Sequence, residues 1–214
     1  MTDWIAQLFR DPELLRMGHG QRAADLNLGL GWVYYGLGRV LRPSTAVVIG
    51  SYRGFVPLVL GKALADNVEG GRVVFVDPSL VDDFWTDPVR VRGHFARFGV
   101  TNVTHHLHTT QQFVETPAYR ELSGIGLLFV DGYHTAEQAA FDYEAFRDKL
   151  SPDGVVLFHD SAAVRRTRIY GPERAYEHRV TDYLAELKRD PALQVFDLPF
   201  AAGVTLVRKV SRDS

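Results

Sequence analysis

Apolar residues fall into short continuous runs that end on glycine or aspartate, separated by longer segments whose apolar positions recur at helical spacing. The runs at 45–49, 73–77, 102–107, 126–131, 154–159, 193–197 and 203–208 are too short for helices and rich in β-branched residues. That combination predicts strands, the early ones buried on both faces as in a parallel sheet. Helical stretches at 55–66, 88–98, 111–121, 136–149 and 173–189 separate the first six runs. An earlier segment, 22–41, places Leu26, Leu30, Val33, Leu37 and Leu41 at helical spacings despite four internal glycines, and ends before Pro43. Repeated strand-to-helix alternation predicts an α/β three-layer sandwich with right-handed crossovers. The last two runs are joined by a short connection holding Pro199 and Gly203, which predicts an antiparallel hairpin closing a seven-stranded, mostly parallel sheet. The polar stretch 161–175 is predicted as a loop over the site.

The chemistry sits where the runs stop. The first ends on Gly50, with Ser51, Tyr52 and Arg53 before Gly54 and the apolar segment from Val56 to Leu64. Two glycines let backbone approach a ligand closely, and the N–H groups opening the following helix can face its polar oxygens. The second run ends on Asp77, just before Pro78, where a charge has no packing purpose. A carboxylate at the end of the second strand can accept hydrogen bonds from two ribose hydroxyls, so the pattern predicts a nucleoside cofactor. The third glycine of a dinucleotide fingerprint is missing, which weighs against an NAD-dependent oxidoreductase, the lesser alternative.

Asp131 and Asp160 close the runs LLFVD and VVLFHD. If those strands are neighbours, both carboxylates open into one crevice and offer oxygen ligands to magnesium or another divalent cation. The competing reading has Asp131 contacting the cofactor and Asp160 ordering a histidine. His134, three residues past Asp131, is the candidate general base, since imidazole exchanges protons near neutral pH. His159, inside an apolar strand, reads as a satisfied core or supporting group. Alternation along a strand splits His105 from His106 and His108, so the three cannot share one ion. Thr110 follows them as a weaker candidate for the nucleoside, and Arg165, Arg166, Arg168 and Tyr170 offer recognition of an anionic or sugar-like acceptor.

Composition narrows the remaining possibilities. With 214 residues, 46% of them hydrophobic, the chain can bury one substantial core. A formal charge of −2 gives no footprint for nucleic acid or an anionic membrane. There is no cysteine, hence no disulfide or thiolate chemistry, in keeping with a cytoplasmic setting. No run approaches the roughly 20 apolar residues of a membrane span, and the acids scattered through the first 16 residues argue against a secretory signal.

The glycine turn, Asp77, FVDGYHTAEQAAFDYEAF and LSPDGVVLFHDS together resemble class I S-adenosylmethionine-dependent methyltransferases, and within them the small-molecule O-methyltransferase group. The resemblance runs from about Thr45 to Arg208. It implies a Rossmann-like sandwich over 45–214 that binds S-adenosylmethionine through Gly50, Ser51, Tyr52, Gly54, Asp77, Thr110 and Asp131. Residues 1–44 are then a helical segment shaping the acceptor pocket or a homodimer contact. It further implies methyl transfer to a hydroxyl of a small natural product, sugar or phenol, with His134 and Asp131 catalytic. In metal-dependent relatives the acids at Asp131 and Asp160 hold a cation, together with an amide or acid where this chain has Ser161. A second departure is Val48, where many relatives carry an acid. A member that binds cofactor without catalysis is the other alternative.

Overall fold

Strands buried on both faces need helices above and below, and that is how the chain is arranged in the computed structural model, which describes residues 1–16 and 18–210. Two N-terminal helices, α1 (Thr2–Leu8) and α2 (Gly31–Leu41), precede β1 (Thr45–Ile49), α3 (Phe55–Ala65), β2 (Arg72–Val76), α4 (Pro88–Ala96) and β3 (Val103–His106). Next come α5 (Thr110–Phe113), α6 (Pro117–Arg120), β4 (Ile125–Val130), α7 (Ala136–Phe146) and β5 (Leu150–His159). The chain ends through β6 (Arg165–Thr167), β7 (Tyr176–His178), α8 (Val180–Leu187), β8 (Leu193–Leu198) and β9 (Val204–Lys209).

Seven strands form one sheet in the order β3-β2-β1-β4-β5-β9-β8, parallel from β3 to β5 and antiparallel across β9 and β8. Alternate residues of each strand feed two cores. Val48, Phe75, Phe129 and Leu157 pack toward α2, α3 and α4 on one face. Val47, Ile49, Leu128 and Phe158 pack toward α7 and α8 on the other. Strand order reverses between β1 and β4, and at such a switch point the loops at the strands' carboxyl ends splay apart and leave a crevice. Among the described residues no helix is long and apolar enough to cross a membrane.

The segment predicted as a helix over 22–41 is α-helical only from Gly31, with a single 3-10 turn at Ala23–Asp25 before it. Upstream, Leu26 and Gly29 adopt left-handed backbone at φ +56° and +59°, which a right-handed helix cannot contain, and Arg22 bridges Asn27 instead. The stretch 111–121 splits into α5 and α6 because Pro117 has no N–H to continue the first and opens the second, capped by Thr116. The largest departure lies after β5. Where a loop over 161–175 and a helix over 173–189 are predicted, β6 and β7 form a small antiparallel ribbon and α8 begins only at Val180.

Candidate active site

Gly50, Asp77, Asp131 and Asp160 stand at or just beyond the ends of β1, β2, β4 and β5, which are consecutive in the sheet. They open on one cavity of about 400 Å³, lined also by Ser51, Tyr52, Thr110, His134, His159 and the β6–β7 ribbon. Gly50 has φ +70°, and a Cβ there would lie 2.5 Å from the Asp131 carbonyl oxygen, so the close approach of β1 to β4 demands glycine. Gly54, at φ +79°, caps α3 beside Trp85 and Phe95. Both glycines are thus required by packing.

Asp77 is buried, and each of its oxygens holds one backbone N–H: Ser51 donates to Oδ2 at 3.2 Å and Ser79 to Oδ1 at 2.7 Å. A carboxylate has about four lone-pair positions, so capacity remains for two hydroxyl donors. Burial pushes its pKa up to about 6, against the pull of those two amides. Ser51 also accepts from Val56 N–H at 3.3 Å, which fixes the turn. Tyr52 donates to Glu13 at 2.6 Å and carries the Arg53 guanidinium 4.3 Å above its ring. Thr110, buried at the start of α5, faces Asp142, a second buried carboxyl, which burial pushes up to about 6.

The register Val130↔Phe158 places Asp131 opposite His159, and their side chains meet, Oδ1 to Nδ1, at 2.7 Å. Asp160 follows in left-handed backbone at φ +55°, which turns its carboxylate back over the sheet edge. Its Oδ2 lies 2.7 Å from His178 Nδ1 and 3.4 Å from His134 Nε2, while its Oδ1 accepts from Arg165 Nη2 at 2.5 Å. Burial pushes the Asp160 carboxyl up, but His178, His134, His159 and Arg165 outweigh it and hold the group well below the usual carboxylate range. His134 lies 3.8 Å from Asp131 Oδ1 and stacks on His178 with ring centroids 4.4 Å apart. Burial lowers its pKa to about 3 despite the pull of Asp160, so His134 is a neutral imidazole at physiological pH.

Gly50, Ser51, Tyr52, Asp77, Thr110, Asp131, His134 and Asp160 therefore line one cavity; Gly54, expected with them, does not, because it is turned into the packing of Trp85 and Phe95, and His159 pairs with Asp131. Neither His105 nor His106 joins the cluster: His105 Nε2 lies 3.0 Å from the Asp77 carbonyl oxygen, and His106 packs on Phe113. His108 reaches the cavity wall. Three participants were not legible beforehand. His19, from the loop before α2, stacks 4.3 Å from His159; His178 arrives on β7; Asp142 comes from α7. Each is brought in by long-range packing, and only the glycines flanking His19 mark any of them locally.

A family model described as a methyltransferase domain matches residues 47–161, the span from β1 to the residue after Asp160. Among curated proteins, the uncharacterized protein y4gI of Sinorhizobium fredii is 31% identical over 140 residues, 61% of this chain; the match spans 15% of that protein's length. Three solved structures share the fold. The O-methyltransferase of Bacillus cereus in complex with SAH matches at TM-score 0.67 and 13% identity, over 98% of this chain and 92% of that one. SAH-bound PaMTH1 of Podospora anserina matches at 0.67 and 18%, over 99% and 89%. TomG of Streptomyces achromogenes, involved in tomaymycin synthesis and in complex with SAM, matches at 0.62 and 15%, over 97% and 86%.

Proposed function

This chain belongs to the methyltransferase-domain family, and on that premise we propose that it transfers a methyl group from S-adenosylmethionine to a hydroxyl of a small molecule, a natural product, sugar or phenol. The observation that carries the reading is the arrangement of Asp77, Asp131, His134 and Asp160 around one cavity at the switch point of the sheet. The cofactor fits the groups present. Asp77 keeps acceptor capacity for ribose hydroxyls, the turn from Gly50 to Arg53 lines the cavity beside it, and the volume falls in the range of small-molecule sites. When bound, S-adenosylmethionine supplies an electrophilic methyl group on a sulfonium.

The chain's own part is positioning and proton transfer. An acceptor hydroxyl must lose its proton as its oxygen is alkylated, and His134 is the residue assigned to take it. Burial keeps His134 neutral, so its lone pair is available without prior deprotonation, but at a pKa of about 3 it is a weaker base than the near-neutral imidazole expected from the sequence, and proton uptake relies on its carboxylate neighbour. The imidazolium that forms lies 3.4 Å from the Asp160 carboxylate, which stabilises it. Asp131 is held by His159 and orients this edge of the cavity. Leu14, Arg16 and His19 line the same cavity, which supports assigning residues 1–44 to the acceptor side.

A magnesium ion between Asp131 and Asp160 fits poorly. Asp160 is already neutralised by Arg165 and bonded to His178, and the remaining neighbours are imidazoles rather than oxygen donors. No step is therefore routed through magnesium. The test of the function is calorimetry with S-adenosylhomocysteine followed by transfer of labelled methyl from S-adenosylmethionine to a panel of hydroxyl acceptors. Saturable binding with label on oxygen is expected. Binding without transfer to any acceptor favours a cofactor-binding module, and absence of binding overturns the proposal.

A further inference from the structure

A divalent cation at Asp160 would serve as a Lewis acid on the acceptor oxygen. Both oxygens of that carboxylate are already engaged. Arg165 Nη2 donates to Oδ1 at 2.5 Å, and His178 Nδ1 lies 2.7 Å from Oδ2. A positive charge nonetheless stands beside Asp160, carried by the guanidinium.

The register of the ribbon explains why this arginine arrives. β6 and β7 pair Arg165 with His178, Arg166 with Glu177 and Thr167 with Tyr176, and alternation turns the first and third pairs toward the cavity and the second away from it. Of Arg165, Arg166 and Arg168, only Arg165 lines the cavity. Its side chain is 51% exposed against 3% for Asp160, so a buried carboxylate pins one arm of the guanidinium while the rest stays accessible. A guanidinium holds five N–H donors in a rigid fork. Nη2 meets Asp160, Nε lies 3.4 Å from His178 Nδ1, and Nη1 makes no hydrogen bond among the described residues. His134 Nε2 lies 3.4 Å from the other oxygen of the same carboxylate, so the assigned base and the unused donor flank one group on the cavity wall. That wall is aromatic. Tyr133 and Tyr176 stack with ring centroids 4.0 Å apart, Tyr176 stacks on His178 at 5.3 Å, and His178 on His134 at 4.4 Å. A run of flat rings ending on the base matches a planar acceptor whose hydroxyl sits on a ring.

On the methyl-transfer reading, we propose that Arg165 takes the place a divalent cation would hold: its Nη1 donates to the acceptor oxygen and stabilises the negative charge developing there, and the acceptor is a phenol. The oxygen gives its proton to His134 and its electron pair to the methyl carbon, the carbon–sulfur pair leaves with sulfur, and Arg165 stays protonated throughout. Donors fixed in advance where charge develops need no reorganisation during the reaction.

The test uses full-length protein saturated with S-adenosylhomocysteine and titrated with para-nitrophenol, whose ionised form absorbs visible light, so that bound phenolate is read without turnover. Bound nitrophenol is expected to ionise about one pH unit or more below the free phenol, the anion being favoured roughly tenfold, and a chelator should leave the spectrum unchanged. Arg165→Ala should remove the shift and lower methyl transfer to phenols about 10²–10³-fold; added guanidinium should restore part of both, and Arg166→Ala should change neither. If Arg165→Ala does not fold by circular dichroism, Arg165→Lys takes its place: an ammonium keeps the pair with Asp160 but lacks the second arm of the fork, so the shift should again be lost. A shift that survives in the variant, that appears only with added Mg2+, or that is absent from wild-type protein overturns the inference. Protein that binds S-adenosylhomocysteine but shows no shift dependent on Arg165 removes this role and leaves the methyl-transfer proposal standing. Protein that does not bind S-adenosylhomocysteine fails that proposal itself, and the role of Arg165 falls with it.

Discussion

Replacing Asp77 by asparagine isolates the group on which nucleoside recognition rests. In the native site both carboxylate oxygens accept backbone N–H groups, at 3.2 Å from Ser51 and 2.7 Å from Ser79. An amide offers one oxygen and one NH2, so one of those buried N–H groups would face a donor, at a cost of about 1–3 kcal/mol to folding. Ribose hydroxyls donating to a charged acceptor contribute about 1.5–3 kcal/mol each. Loss of one such bond should therefore raise the Kd for S-adenosylhomocysteine roughly 10- to 150-fold by calorimetry. The pH dependence adds a second signature. With the carboxyl pushed up to about 6 by burial, cofactor affinity should be level above neutrality and fall as pH drops through 6. Stability runs the opposite way. The folded pKa lies above the ordinary value, so the folded chain keeps a proton that the unfolded chain has released. The contribution is fully present below the ordinary carboxyl range and is lost as pH rises through about 6. Asp77→Asn protein with cofactor affinity within about threefold of wild type, and the same pH profile, would refute the assignment.

His134→Ala should lower single-turnover methyl transfer about 10²–10⁴-fold while leaving S-adenosylhomocysteine affinity unchanged; full activity eliminates the base assignment. Gly50→Ala forces a side chain into left-handed backbone, about 1–2 kcal/mol, and places Cβ 2.5 Å from the Asp131 carbonyl oxygen. A loss exceeding about 2 kcal/mol in urea unfolding is expected, and an unchanged midpoint contradicts the packing argument. Phe129→Ala empties a fully buried site against Tyr34, whose ring centroid lies 4.7 Å away, and should cost about 3–5 kcal/mol in the same assay.

The sheet was legible because burial on both faces forces uninterrupted apolar runs, and because Gly50, Asp77, Asp131 and Asp160 punctuate their ends. Local sequence marks such positions well. It marks poorly whatever tertiary contact decides. The ribbon of β6 and β7 has no apolar alternation to announce it, since its strands are three residues each and Arg165, Thr167, Tyr176 and His178 line the cavity rather than a core. His178 and Arg165, which claim Asp160, were therefore invisible as partners, and Asp160 looked free to hold a cation. Gly29 counted as an interruption of the helix predicted over 22–41; in the fold it takes positive φ, as do Gly18 and Gly20 upstream, in the loop that brings His19 within 3.9 Å of Asp131. The alternation that separated His105 from His106 held because it is set by the pleat itself.

The account depends on three aspartates from separate strands sharing one ligand site, and a crystal structure of the protein with S-adenosylhomocysteine tests it most directly. The expected result places the ribose hydroxyls on Asp77 and the sulfur toward the edge formed by Asp131, His134 and Asp160. Density for the ligand outside this cavity, or inside it with Asp77 uncontacted, would contradict the account.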